Sequence, residues 1–218
     1  MSTLDPVATL PRAVLFDWDN TLVDNWVSVL AAFNATLTAF GQLPWTHEES
    51  RARIRNSMRD SFPGLFGERW TEARDLFYRH YQAEHLATLQ PLPGAEATLA
   101  ALHAAGIYLG VVSNKSGFLL RAEADHLGWT RFFGRLVGAG DATQDKPSPA
   151  AVTLALEGAG VAPGAQVWLV GDDRIDVECA RAAGCHPVLV GDGPAPGEDP
   201  TLRLGDCRAL LALFGLRE

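Results

Sequence analysis

Two carboxylates one residue apart, Asp17 and Asp19, directly follow an apolar run over residues 13–16. A short, continuous apolar run of this kind predicts a strand buried on both faces of a parallel sheet. Open α/β sheets bind ligands just beyond the carboxyl ends of their strands. Two like charges this close are costly to dehydrate, so they indicate a site where a cation or a transferable group compensates them. The alternative is a solvated turn that ends a strand and caps a helix.

Three further groups of polar residues follow predicted strands or precede a predicted helix. They are Ser113 with Asn114, Lys146, and the acids Asp172, Asp173 and Asp176. Because the carboxyl ends of parallel strands meet at one edge of a sheet, all these groups are expected to converge there. An aspartate pair, a hydroxyl, a lysine and a further acidic cluster, in that order, meet the needs of a magnesium-dependent phosphoryl-transfer site.

These four ordered motifs resemble those of the haloacid dehalogenase superfamily, and the resemblance covers nearly the whole chain. The first motif, residues 17–24, and the sequence Ser113-Asn114-Lys115 resemble phosphoglycolate phosphatase-like members with a helical C1-type cap. The resemblance implies a phosphoric monoester hydrolase. It also implies an aspartyl-phosphate route with Asp17 as nucleophile. Asp19 would protonate the leaving alcohol and then take a proton from the attacking water.

The resemblance also implies a metal site, and Mg²⁺ is the expected cofactor because it prefers oxygen ligands. The expected ligands are Asp17, Asp172 and the backbone carbonyl of Trp18. Asp176 or Asp173 would hold metal-bound water or orient the lysine. Asp176 is preferred, and a helix N-terminal acid is the alternative for Asp173.

The expected phosphate-binding groups are Ser113, Asn114 and Lys146, where the lysine offsets the repulsion between the phosphoryl group and the acids. Thr21 is expected to add a contact in the turn after Asp19. Lys115 is expected to be a surface residue or to contact the cap.

The chain is expected to form a Rossmann-like parallel α/β core from residues 1–22 and 90–218, with a small helical cap domain over residues 23–89. In the cap, one helix begins near Trp26, a second carries a capping box at Thr46 and runs on to Met58, and a third begins near Trp70. Residues 61–64 are expected to break the second helix. In the core, a loop is predicted over residues 195–200 and a closing helix over 208–216.

Two arginines of the predicted cap, Arg55 and Arg59, stand four residues apart on a helix. They could grip a carboxylate or a second phosphate of a substrate. A solvated helix face is the alternative.

Composition and net charge indicate which classes of partner the chain can bind. A net charge of -8 without a basic run argues against a nucleic-acid or anionic-membrane surface, so a small phosphorylated metabolite is the expected partner. The odd number of cysteines and the scattered histidines favour neither a disulfide framework nor a zinc site. No apolar stretch has the length of a membrane span, and residues 1–11 lack the pattern of a signal peptide. A cytoplasmic monomer or homodimer is expected.

The predicted function is a phosphatase for a small metabolite, with phosphoglycolate as a candidate substrate. A sugar phosphomutase of the β-phosphoglucomutase type would use the same machinery and stays open as an alternative. A 2-haloacid dehalogenase attacks carbon without a metal, and Asp19 disfavours it. A phospho-accepting receiver domain is a non-enzymatic alternative, but receivers are shorter and lack a helical insert.

Overall fold

A computed structural model describes residues 10–54, 56–191 and 202–217. The chain divides into two compact units, one formed by Met1–Val23 with Pro91–Glu218 and the other by Asp24–Gln90. In the described part of the chain, the strands are β1 (Ala13–Phe16), β2 (Val23–Asp24), β3 (Gln90–Pro91), β4 (Tyr108–Ser116), β5 (Arg135–Ala139), β6 (Val167–Gly171), β7 (His186–Val190) and β8 (Leu202–Leu204). The helices are α1 (Trp26–Ala39), α2 (His47–Arg53), α3 (Met58–Phe66), α4 (Trp70–Thr88), α5 (Ala95–Ala104), α6 (Gly117–His126), α7 (Ala150–Ala155), α8 (Arg174–Ala182) and α9 (Ala209–Leu213), with 3₁₀ turns at Gly67–Arg69 and Trp129–Phe132.

The first unit is built on a six-stranded sheet with the order β5-β4-β1-β6-β7-β8, and its neighbouring strands are parallel. All four residues of β1 are fully buried, as expected for a central strand covered on both faces. The chain adds β4 and β5 on one side of β1 and then β6, β7 and β8 on the other. The point where strand order reverses therefore lies at β1, which is where open α/β sheets bind ligands. The predicted α/β fold with a parallel sheet is confirmed.

The register of the sheet fixes which residues meet at that point. Phe16, the last residue of β1, pairs with Val111 of β4 and with Val170 of β6. The residues that follow on all three strands, including Asp17, therefore emerge side by side at the carboxyl edge of the sheet.

The second unit is helical, and its core is aromatic. The rings of Phe33, Phe62 and Phe77 lie between 5.1 and 6.1 Å from one another, from centroid to centroid. The capping box predicted at Thr46 is present on α2.

Two predictions for the helical unit are wrong. Helix α2 ends at Arg53, because Ile54 is already extended (φ -88°, ψ 93°), and Met58 begins the next helix. Residues 61–64 lie inside that helix, α3, instead of breaking it. Burial of Phe62 in the aromatic core holds the helix through Pro63, which removes a single backbone donor.

The remaining differences lie in the first unit. Strand β8 was not predicted, and the closing helix is shorter than the expected range, since α9 runs over Ala209–Leu213. The loop predicted over residues 195–200 lies outside the described residues. No helix among the described residues is long and apolar enough to cross a membrane.

Candidate active site

Asp17 is the first residue beyond β1, and its position is fixed by the sheet. Its backbone N–H donates to the carbonyl of Val170 on β6 at 2.8 Å, which extends the strand pairing by one step. The side chain is mostly buried, with 8% of the residue exposed. Asp17 therefore presents a carboxylate from a rigid element.

The turn after Asp17 is closed by the carbonyl of Trp18. This oxygen accepts the backbone N–H groups of Leu22 at 2.9 Å and Val23 at 3.2 Å, and Asn20 adopts a left-handed conformation with φ 62°. A carbonyl has two lone pairs, and both are engaged by these amides. The Trp18 oxygen therefore serves the turn, and its expected role as a metal ligand stays a prediction.

Lys146 bridges two carboxylates from different strand ends. Its Nζ lies 2.7 Å from Oδ1 of Asp17 and 2.6 Å from Oδ1 of Asp176, and 3% of the residue is exposed. Burial by itself would lower the pKa of this ammonium, but the two carboxylates outweigh burial and raise the pKa above its ordinary value. Lys146 is therefore a fixed positive charge between Asp17 and Asp176.

Asn114 holds the backbone of Lys146. Its amide oxygen accepts the Lys146 backbone N–H at 3.0 Å, and its amide nitrogen donates to the Lys146 carbonyl at 3.2 Å. The side chain therefore positions the lysine, and the expected hydrogen bond from Asn114 to phosphate stays a prediction. Ser113 is buried at the same strand end, and its Oγ accepts the backbone N–H of Lys115 at 3.2 Å.

Three acids form a group that is suited to a cation. Each of Asp17, Asp172 and Asp176 offers a carboxylate oxygen, and these oxygens lie within 4.8 Å of one another. Burial, followed by repulsion from the carboxylates of Asp17 and Asp176, raises the pKa of Asp172 to about 8. Burial likewise raises the pKa of Asp176 to about 6, although Lys146 opposes the shift. A divalent cation such as Mg²⁺ prefers oxygen ligands, and it would offset the repulsion between these buried carboxylates.

Asp173 and Asp176, whose roles the sequence did not distinguish, make different contacts. Asp173 is the N-cap of α8, where its side chain accepts the backbone N–H of Ile175 at 3.3 Å. Asp176 completes this capping box by accepting the Asp173 backbone N–H at 3.1 Å, and its other oxygen binds Lys146. The cap thus fixes the direction of the Asp176 carboxylate. A Cβ at Gly171 would overlap that carboxylate, so the strand end needs glycine there.

Asp19 belongs to a second ionic cluster, beside the first. Its Oδ1 lies 2.9 Å from Nζ of Lys115, and the same ammonium lies 2.8 and 2.7 Å from the two carboxylate oxygens of Glu123. Burial raises the pKa of Asp19 to about 6, with Lys115 opposing the shift and Glu123 adding to it. The expectation that Lys115 is a surface residue is wrong, since only 4% of its side chain is exposed, and the alternative that it contacts the cap stays a prediction.

The remaining predicted residues are Thr21, Arg55 and Arg59. The hydroxyl of Thr21 donates to Oδ1 of Asp172 at 3.5 Å. Arg59 lies on α3 of the helical unit and is exposed, and Arg55 lies outside the described residues. Glu123 was missed by sequence reasoning. Its one signal is an acid in a helix segment whose other buried residues are mainly apolar.

Comparison with known proteins agrees with this geometry. The family model described as haloacid dehalogenase-like hydrolase matches residues 14–190. A phosphoglycolate phosphatase of Xylella fastidiosa is 39% identical over 193 residues, which cover 87% of this chain and 84% of that protein. Phosphoglycolate phosphatase 1 of Pseudomonas aeruginosa is 32% identical over 228 residues, covering 97% and 83%. The crystal structure of a predicted phosphoglycolate phosphatase from Haemophilus somnus shares the fold, with a TM-score of 0.82 at 23% identity over 94% of this chain and 98% of that one.

Proposed function

The chain belongs to the haloacid dehalogenase-like hydrolase family and is a phosphoric monoester hydrolase, and we propose that its reaction requires Mg²⁺ and passes through a phosphorylated Asp17. One observation carries the proposal: the buried carboxylate of Asp17 contacts the Lys146 ammonium and lies within 4.8 Å of two further acids, at the strand-order reversal of the sheet.

In the first step, a carboxylate oxygen of Asp17 attacks phosphorus. A new O–P bond forms as the bond to the ester oxygen breaks, and Asp19 gives its proton to that oxygen so that the alcohol leaves neutral. The raised pKa of Asp19, caused chiefly by burial, increases the protonated fraction that this step uses near neutral pH.

In the second step, water attacks the phosphorus of the acyl phosphate. Asp19, now a carboxylate, takes a proton from this water, phosphate leaves, and the carboxylate of Asp17 is restored. The same side chain thus serves as acid and then as base, which returns the site to its starting protonation state.

Charge balance explains the other residues. A phosphoryl group that approaches Asp17 is repelled by its carboxylate, and each unit-charge pair at 4 Å contributes about 4 kcal/mol at an effective dielectric near 20. Lys146 supplies one compensating positive charge at a fixed position. Asp17, Asp172 and Asp176 would hold Mg²⁺, which would supply the remaining positive charge and polarise the phosphoryl oxygens.

We also propose that the helical unit, Asp24–Gln90, acts as a cap that selects the substrate. In chain order it is inserted between the acids after β1 and the serine of β4, and it is the largest segment that the catalytic residues do not use. Small phosphorylated metabolites are the proposed substrate class. Phosphoglycolate is the first compound to test, because the named relatives are phosphoglycolate phosphatases. The cytoplasm is the proposed location.

The deciding experiment follows phosphate release from phosphoglycolate and from p-nitrophenyl phosphate with Mg²⁺ and with chelator. Acid quenching during turnover, followed by peptide mass spectrometry, should find a phosphoryl group on Asp17. Asp17→Asn should abolish turnover and labelling, whereas Asp125→Asn, a change at an exposed acid on α6, should leave both unchanged.

Three results would contradict the proposal. Wild-type turnover in chelator would remove the metal requirement, and activity of Asp17→Asn near the wild-type level would remove the nucleophile. Halide release from a 2-haloacid, without hydrolysis of any phosphate ester, would replace the phosphatase with a dehalogenase.

A further inference from the structure

The use of lysine in this chain is selective. Its 18 lysine and arginine residues include only two lysines, Lys115 and Lys146. Both are buried, and each ammonium contacts two carboxylates. A compact ammonium on a flexible stem can be enclosed between two acids more closely than a planar guanidinium. Since Lys146 belongs to the proposed phosphate site, the second lysine requires its own explanation.

Glu123 anchors Lys115 from the inner face of α6. Its side chain is fully buried, and both of its oxygens accept hydrogen bonds from the Lys115 ammonium. Oε2 also accepts the indole N–H of Trp18 at 2.7 Å. Trp18 itself is fully buried, and its ring packs edge-on against Trp129 at 5.8 Å. One glutamate therefore ties the end of β4 to the turn that carries Asp17 and Asp19.

The consequence for Asp19 is geometric. A carboxylate on a turn can rotate about its side-chain bonds unless a contact fixes one of its oxygens. The ammonium of Lys115 makes such a contact with Oδ1 at 2.9 Å. Because Glu123 holds that ammonium through two charge-assisted hydrogen bonds, Lys115 cannot follow Asp19 if the carboxylate turns away.

We propose that Lys115 and Glu123 are positioning residues for the reaction, acting in series to hold the Asp19 carboxyl group in line with the ester oxygen that it protonates. The inference rests on the proposed function, since it assigns Asp19 the proton-transfer role described above. The pair acts through Asp19 and touches neither the phosphorus nor the leaving group. Its effect should therefore depend on how much the leaving group needs a proton.

The test compares two esters that differ in that need. The leaving group of an alkyl phosphate such as phosphoglycolate is a strongly basic alkoxide unless it is protonated. The leaving group of 2,4-dinitrophenyl phosphate is a weakly basic phenolate. The quantity to measure is kcat/KM, because it covers the steps up to alcohol release and excludes hydrolysis of the acyl phosphate. A misplaced general acid should lower kcat/KM about 100-fold for the alkyl ester and less than about 3-fold for the dinitrophenyl ester.

The variants are Lys115→Met, Glu123→Gln and the double change. Lys115→Met alone removes the ammonium from the buried Glu123 carboxylate and the partly exposed Asp19 carboxylate. The double variant also removes the charge of Glu123, so it keeps the test valid if the single variant does not fold. Arg121→Gln is the matched control. Arg121 lies on the same helix as Glu123, and the change removes its exposed ion pair with Asp141, so kcat/KM should stay unchanged for both esters.

A loss confined to the alkyl ester supports the inference. An equal loss for both esters, or no loss for either, overturns it and leaves the pair with a structural role. Failure of the proposed function is recognised separately, because in that case the wild-type protein hydrolyses neither ester or Asp17→Asn retains the activity.

Discussion

The sharpest stability prediction concerns Lys146→Met, which removes one charge from the centre of the site and keeps a side chain of similar length. The ammonium lies 2.7 Å from Oδ1 of Asp17 and 2.6 Å from Oδ1 of Asp176, inside the protein. At an effective dielectric near 20, each contact corresponds to a Coulomb attraction of about 6 kcal/mol. Dehydration of the three groups offsets most of this attraction. Breaking such a buried pair by removing one partner nevertheless costs about 3–5 kcal/mol, because the remaining charges stay buried.

The free energy of unfolding should therefore fall by about 3–5 kcal/mol in chelator at pH 8. Urea denaturation followed by tryptophan fluorescence measures this change. With saturating Mg²⁺ the loss should be smaller, since a dication among the three acids compensates part of the missing charge. Phosphatase activity should still fall at least about 100-fold, because a fixed positive charge near the phosphoryl group is lost. Stability and activity should thus respond differently to Mg²⁺.

A matched control separates this effect from loss of an ordinary ion pair. Arg174→Gln removes the contact with Glu178 on α8, where the two side chains are 58% and 38% exposed. Exposed pairs contribute about 0–1 kcal/mol, so the control should stay within that range of wild type. The reasoning is refuted if Lys146→Met unfolds at the wild-type urea concentration in chelator, or if it hydrolyses phosphate esters at the wild-type rate.

Three further predictions test the same site. A pKa near 8 leaves Asp172 protonated at lower pH, and a cation must displace that proton. The Mg²⁺ affinity measured by calorimetry should therefore rise about tenfold from pH 6 to pH 7 and level off above pH 8. An affinity that does not change with pH would contradict this prediction. Gly171→Ala should weaken Mg²⁺ binding and lower kcat, because the added Cβ displaces the Asp176 carboxylate, and unchanged calorimetry and kinetics would show that the strand end adapts. Amine-reactive reagents should modify Lys115 and Lys146 only after unfolding, as followed by peptide mass spectrometry, and rapid labelling of either lysine in the folded protein would rule out its burial.

Much of the fold could be read from local pattern. The apolar run before Asp17 predicts a central strand, and the alternation of strands and helices after Pro91 predicts a parallel sheet; the structure has both. These predictions succeed because periodicity and strand burial are properties of short segments. The break predicted at residues 61–64 failed for the complementary reason. Pro63 weakens a helix locally, whereas Phe62 is held by aromatic rings that are distant in sequence.

The sequence by itself determined the types and order of the chemical groups: a nucleophilic acid, a second acid two residues on, a lysine and a final acidic cluster. Tertiary structure decided which of them are partners. It turned Asn114 onto the backbone of Lys146 and paired Lys115 with Asp19 and Glu123. Ion pairs and hydrogen bonds form between groups that the folded sheet and helices bring within about 3 Å. Trp18 and Glu123, which share a hydrogen bond, are 105 positions apart in the chain. No local pattern encodes such a distance, so only the assembled strand ends could reveal the second cluster.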